Sequence, residues 1–196
     1  MTAVLLAASL ASSPAFAHVP IPPRDPSEIG RREVKIAVEN FTLVDQEGKL
    51  FHFAGSRGKV VLVTFIFTTC PDVCPLLTAK FAAIRRALAE KKTDDYLLLS
   101  ITTDPERDSA KVLKEYAGRF KADFRNWAFL TGRRQDLARV WKIFGVNVTR
   151  TEAGDVNHTS LTTLIDRQGE RRYNYYGEKW HEKDVLKDIQ RLRAQK

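Results

Sequence analysis

The run VVLVTFIF at residues 60–67 constrains this chain more than any other segment. Its residues are β-branched, aliphatic or aromatic almost without interruption, so neither side of a strand built from them suits water. Such a run fits a strand buried on both faces of a sheet. The next segment has a different period. After TTCPDVCP, the apolar residues Leu77, Phe81, Ile84 and Leu88 return at three- and four-residue intervals, as the stripe of one helix does.

The alternation then repeats. Residues 96–102 read as a strand and Val112, Leu113, Tyr116 and Phe120 as the inward face of a helix; residues 127–130 read as a strand and Leu137, Val140, Trp141 and Phe144 as another helical stripe. Periodicity makes Trp127, Trp141 and Phe144 core residues. Toward the C-terminus, residues 161–166 and 170–176 form an antiparallel hairpin about the turn at 167–169, closed by a helix carrying Val185, Leu186, Ile189 and Leu192. In front, residues 35–44 and 49–53 read as a hairpin around a turn at 46–48. The expected fold is α/β and thioredoxin-like: a mixed β-sheet with helices on both faces and an N-terminal β-hairpin extension.

A chain of 196 residues holds one such domain, expected over residues 34–196, with a segment to spare at the front. No charge occurs before Arg24, and the apolar part of this front covers only residues 3–11. That is short of the ~20 residues that cross a bilayer, and it ends in the small-residue triplet Ala15, Phe16, Ala17. Residues 1–17 therefore read as a signal peptide, although no Lys or Arg precedes the apolar part. Residues 18–33, with prolines at 20, 22, 23 and 26, read as an extended tether. The expectation is export to the periplasm or the outer side of a membrane, with a soluble mature chain. The net charge of +8 comes from basic residues scattered beside acidic neighbours, such as Arg31 with Arg32 and Arg133 with Arg134. That pattern suits a solvated surface or an acidic docking partner, not nucleic acid.

The chemistry gathers at Cys70 and Cys74, the two cysteines of the chain. They sit at the C-terminal end of the most hydrophobic strand, where α/β folds place ligands. Pro71 and Pro75 stiffen the loop, and Pro75 is tolerated in the first turn of a helix. A helix N-terminus favours a thiolate, hence nucleophilic and metal-binding character; Asp72 opposes this slightly. Four positions across a first helical turn place the Cα atoms ~6 Å apart, close enough for a disulfide or a shared metal ion. The spacing C-x-x-x-C departs from the C-x-x-C of thioredoxin-type oxidoreductases. Residue chemistry alone leaves redox exchange and metal binding both open, and burial as plain packing is the minor alternative.

A metal asks for more ligands, and the histidines are His18, His52, His158 and His181. His18 lies in the tether. His52 alternates with Phe51 and Phe53 and should face outward, and His181 should be an exposed residue at a helix start. His158 lies in a polar loop feeding the strand at 161–166, a position able to reach the end of a neighbouring strand.

The strings FTTCPDVCP, TTDPERDSAKVLKEYAGRF, NWAFLTG and DVNHTSLTTLIDRQGE occur in an order that resembles the Sco/SenC family of copper-binding proteins. Together they cover roughly residues 38–195. The resemblance implies a thioredoxin-like fold at the outer side of a membrane and one copper ion per chain, held by Cys70, Cys74 and His158. It also implies a role in delivering copper to, or reducing the cysteines of, the dinuclear copper site of cytochrome c oxidase. The implied partner is that copper-site subunit or another copper recipient; no upstream donor is named. Asn157 stands where many members have Asp, Ser109 replaces the commoner Thr, and a cleavage signal replaces the usual membrane anchor.

Two thiolates and an imidazole suit Cu(I), whereas structural zinc usually takes four ligands. A thiol–disulfide reductase using Cys70 and Cys74 as its redox pair is the alternative from another class. A peroxidase is the weakest reading, because the P-x-x-x-T-x-x-C loop of peroxiredoxins is missing. Residues 103–108 read as a strand-to-helix turn in which Asp108 caps the next helix and Arg107 pairs locally, with support of the copper loop as the lesser alternative.

Overall fold

The computed structural model describes residues 30–90, 94–152 and 154–195. The expected signal peptide at 1–17 and residues 18–29 of the expected tether lie outside them. The order of elements is β1 (Arg31–Ala37), β2 (Thr42–Val44), β3 (Leu50–His52), β4 (Val60–Ile66), α1 (Val73–Ala89), β5 (Tyr96–Thr102), α2 (Ala110–Arg119) and β6 (Trp127–Leu130). Then come α3 (Arg134–Phe144), β7 (Val148–Arg150), β8 (Val156–His158), β9 (Leu161–Ile165), β10 (Glu170–Tyr176) and α4 (Glu182–Ala194).

Six strands form one mixed sheet in the order β1-β10-β9-β4-β5-β6. The β4–β5 and β5–β6 pairs are parallel, and β9, β10 and β1 add antiparallel to one another on the other side of β4. Every residue of β4 is buried, as its composition requires. Its side chains divide by the two-residue period of a strand. Val60, Leu62 and Ile66 join a core with Leu77, Phe81, Ile84 and Leu88 of α1, Leu113 and Tyr116 of α2, and Val185, Ile189 and Leu192 of α4. Val61, Val63 and Phe65 join a second core with Leu137, Val140, Trp141 and Phe144 of α3, completed by Phe41, Leu43 and Phe53. Helices on both faces of a mixed sheet are thus observed, and the architecture is the expected thioredoxin-like one. No helix among the described residues is long and apolar enough to cross a membrane.

The front of the chain differs from expectation. A strand begins at Arg31, inside the segment read as tether, because it pairs with β10 (Arg31 opposite Tyr175, Ala37 opposite Glu170). That pairing is remote in sequence, so no local pattern announces it. The expected first arm of the front hairpin is split: Val38 and Phe41 turn into the second core, and only Thr42–Val44 pairs with Leu50–His52. Ahead of β9, residues read as loop instead form β8, paired with β7 in a two-stranded ladder outside the main sheet.

Candidate metal centre

The main sheet delivers both cysteines to one place. Strand β4 ends at Ile66, the chain turns through residues 67–72, and α1 starts at Val73. Pro75 is the third residue of α1, where its missing N–H has no helical partner to lose. Cys70 stays in the loop, half-buried, and Cys74 lies in the first helical turn with 1% of its surface exposed. Both are free thiols. The Cys74 N–H donates to Cys70 Sγ at 3.4 Å, so one sulfur already receives a donor at the helix N-terminus.

His158, at the end of β8, reaches the same spot. Its Nε2 is 4.0 Å from Cys74 Sγ, and its Nδ1 is 3.0 Å from the Thr159 carbonyl. A carbonyl only accepts, so Nδ1 carries the proton and the Nε2 lone pair faces the sulfur. The Phe67 ring stands edge-on to the imidazole, 5.8 Å between centroids. With ligand-to-metal bonds of ~2.0–2.3 Å, two donors on one ion stand ~3.5–4 Å apart, which the Cys74 to His158 separation matches. The three residues line one cleft of about 620 Å³, with Arg107, Asp72 and Asp155 at its rim. Among the described residues, no three His, Cys, Asp or Glu side chains already stand in metal-holding geometry, so the donors converge without forming a closed cage.

Burial sets the protonation. It pushes the His158 imidazole down, against the opposing pull of the Thr159 carbonyl, which favours the neutral, lone-pair-bearing ring. It pushes the Cys74 thiol well up, and the neighbouring Cys70 and Asp108 push it further; the backbone at Phe67 only partly opposes them. The thiolate-favouring effect expected of a helix N-terminus is therefore outweighed at Cys74. A cation entering the cleft would have to displace that proton.

The turn at 103–108 is where expectation needs its largest correction. The helix cap is Ser109, whose side chain accepts from the Val112 N–H. Asp108 is instead fully buried and turned toward the cysteine loop. It accepts from the Thr68 N–H at 3.2 Å, from the Thr68 hydroxyl at 2.5 Å and from the Thr102 hydroxyl at 2.5 Å. Burial raises its carboxyl above the ordinary range, against those hydrogen bonds. Arg107 does pair locally, with Asp104 at 3.5 Å. The support given by Asp108 carries no sequence signature, since Thr68 lies 40 positions away. His52, exposed on β3 with Nδ1 3.0 Å from the Thr42 hydroxyl, and His181, the exposed residue capping α4, both lie outside the cleft.

Residues 30–194, nearly all of the described chain, match the family described as SCO1/SenC. The chain belongs to the SCO1/SenC family. Among its relatives, the SCO1 protein homolog of Bacillus subtilis is 34% identical over 156 residues, covering 78% of this chain and 80% of the relative. BsSco, in which a disulfide switch has been identified and which is described as a member of the Sco family of cytochrome c oxidase assembly proteins, superposes with a TM-score of 0.72. It is 30% identical, over 84% of this Sco chain and 97% of BsSco. ScoI of Bradyrhizobium japonicum, solved with copper bound, gives a TM-score of 0.69 at 30% identity, over 80% of this chain and 99% of ScoI.

Proposed function

We propose that this chain takes up one copper ion with Cys70, Cys74 and His158 outside the cytoplasm and delivers it to, or prepares, the dinuclear copper site of cytochrome c oxidase. The carrying observation is the His158 ring, its Nδ1 committed to the Thr159 carbonyl and its Nε2 aimed at Cys74 Sγ. A half-buried imidazole held neutral in this tautomer, beside two thiols, is a soft donor set suited to Cu(I). The copper-bound ScoI relative supports the same reading. Cys74 supplies the buried part of the grip, with His158 half-buried beside it. Cys70, in the loop, leaves one side open, and a recipient thiolate can enter there before the donors let go.

A second reading is thiol–disulfide exchange with the cysteines of the oxidase. It is favoured by the division between a half-buried Cys70 and a buried Cys74, and by the disulfide switch of BsSco. In that reaction a thiolate attacks the target disulfide and the second thiol resolves the mixed disulfide. The pair gives up two electrons and two protons and ends as a Cys70–Cys74 disulfide, while the target becomes a dithiol. Anaerobic Cu(I) titration against a competing chelator, run on wild type and His158→Ala, separates the readings. Copper carriage predicts weakened affinity in the variant together with failed oxidase assembly, while the rate of reducing a disulfide peptide changes little. Unchanged affinity would remove His158 from the donor set. Intact assembly by a variant that no longer holds copper would favour the reductase.

A further inference from the structure

Residues 104–108 touch both sides of the cleft. Asp108 holds the cysteine side through Thr68. From the same turn, Asp104 and Glu106 reach the histidine side. The Arg150 guanidinium, at the end of β7, pairs with the fully buried Asp104 and with Glu106 at 2.6 Å, and also donates to the Gly154 carbonyl at 3.2 Å. Arg107 donates to that same carbonyl at 3.1 Å. The turn is itself pinned beside the end of β4, where the Thr103 N–H donates to the Ile66 carbonyl at 2.7 Å.

The strand bearing His158 has no place in the six-stranded sheet. Among the described residues, strand β8 pairs with β7 alone, Val148 lying opposite His158, so its ladder sets the imidazole relative to β7. The two sides are related by the short run of chain from His158 into β9, by the Phe67 ring against the imidazole, and by the contact between the hairpin and the 104–108 turn, which alone of these grips the hairpin at β7. Arg150 is the residue of the hairpin that meets two carboxylates of that turn at once, one of them withdrawn from water. A guanidinium fork between two carboxylates fixes direction as well as distance.

We propose that Arg150, seated between Asp104 and Glu106, is a positioning residue for His158, holding the β7–β8 hairpin where the imidazole reaches Cys74. The inference rests on the copper reading above. Cu(I) affinity is measured by chelator competition for wild type, Arg150→Ala, His158→Ala and the double variant. Arg150→Ala should weaken binding about 10-fold, the low end for residues acting behind a ligand, and should add nothing once His158 is gone. In the copper-free protein, amide exchange should quicken at residues 148–158 and stay unchanged at 68–74.

Because Arg150→Ala leaves the buried Asp104 facing only Arg107, the neutral pair Asp104→Asn/Arg150→Gln is run beside it with the same expectation. Equal loss of affinity with and without His158 would mean that Arg150 serves the fold at large, and no loss would mean that the hairpin is held by other contacts. Either result overturns the inference while leaving the copper reading in place. A wild-type chain that binds no Cu(I) overturns the copper reading and this inference with it; one that binds it equally well without His158 removes His158 from the donor set and overturns this inference.

Discussion

The two sides of the cleft are built by different means. Cys70 and Cys74 join β4, buried along its whole length, to α1, whose Leu77, Phe81, Ile84 and Leu88 pack into the larger core. Their position is inherited from the hydrophobic interior, which is dense and resists deformation. His158 sits on strands of three residues outside the main sheet, held to the body through partly exposed arginines. Under the copper-carrier function proposed above, the difference teaches how such a protein can be both selective and able to let go. In the proposed copper site the thiols form a fixed platform, and the imidazole proposed as third donor is added by polar contacts that are weaker, directional and sensitive to solvent conditions. Changes in the core should act on the platform, and changes in charge should act on the imidazole.

The largest effect expected is on the platform. Cys74→Ser replaces a soft donor by a hard one and should abolish Cu(I) binding in chelator competition. The fold should survive, since a poorly partnered buried hydroxyl costs about 1–3 kcal/mol. Retention of affinity within tenfold of wild type would show that this sulfur is no donor. Next in size is Asp108→Ala, which leaves the Thr68 N–H and the Thr68 and Thr102 hydroxyls without their acceptor. Urea unfolding should lose about 2–4 kcal/mol, seen as a lower midpoint at unchanged slope. Amide exchange should rise at 68–74 before it rises at 148–158; the reverse order would break the proposed division of labour.

The same division explains what was legible beforehand. The platform is written locally: a continuous apolar run, two cysteines four positions apart and a helical stripe that starts at once. The thioredoxin-like arrangement followed from the alternation of such segments. The histidine side is written in contacts between distant residues. Arg150 and Asp104 are 46 positions apart, and each has nearer charges with which a reader would pair it. Asp108 misled for a related reason. An aspartate just before a helix reads as a cap, yet Ser109 fills that role one position later, and burial against Thr68 and Thr102 becomes visible only in three dimensions. Strand β1 escaped because its partner, β10, lies at the opposite end of the chain. His158 joins the cysteines in the sequence reading only through the family resemblance; its loop-to-strand setting shows no more than an ability to reach a strand end, and the two-stranded ladder that carries it has no local signature.

The smallest effect expected is on the histidine side and is read through pH. Burial raises the Glu106 carboxyl, but hydrogen bonds from Arg134, from its own backbone N–H and from Arg150, with the charge of Arg150, outweigh it and bring the group down to about 2. A carboxyl held lower in the folded chain than in the unfolded one adds stability above its ordinary value of 4.5, and that increment fades as pH falls from there toward 2. Its side chain is 45% exposed, so solvent screening keeps the contribution below about 1 kcal/mol. The stability gap between wild type and Glu106→Gln in urea should therefore be present at neutral pH and vanish near pH 2. It should also shrink in high salt, because exposed ion pairs are screened within a Debye length of ~10 Å at 0.1 M. The corresponding gap for Asp108→Asn should respond far less to salt, since that carboxyl is fully buried and bound to hydroxyls and an N–H instead of cations. Equal salt sensitivity on the two sides would mean that polar contacts of the same kind secure both, and the contrast between platform and added donor would fall.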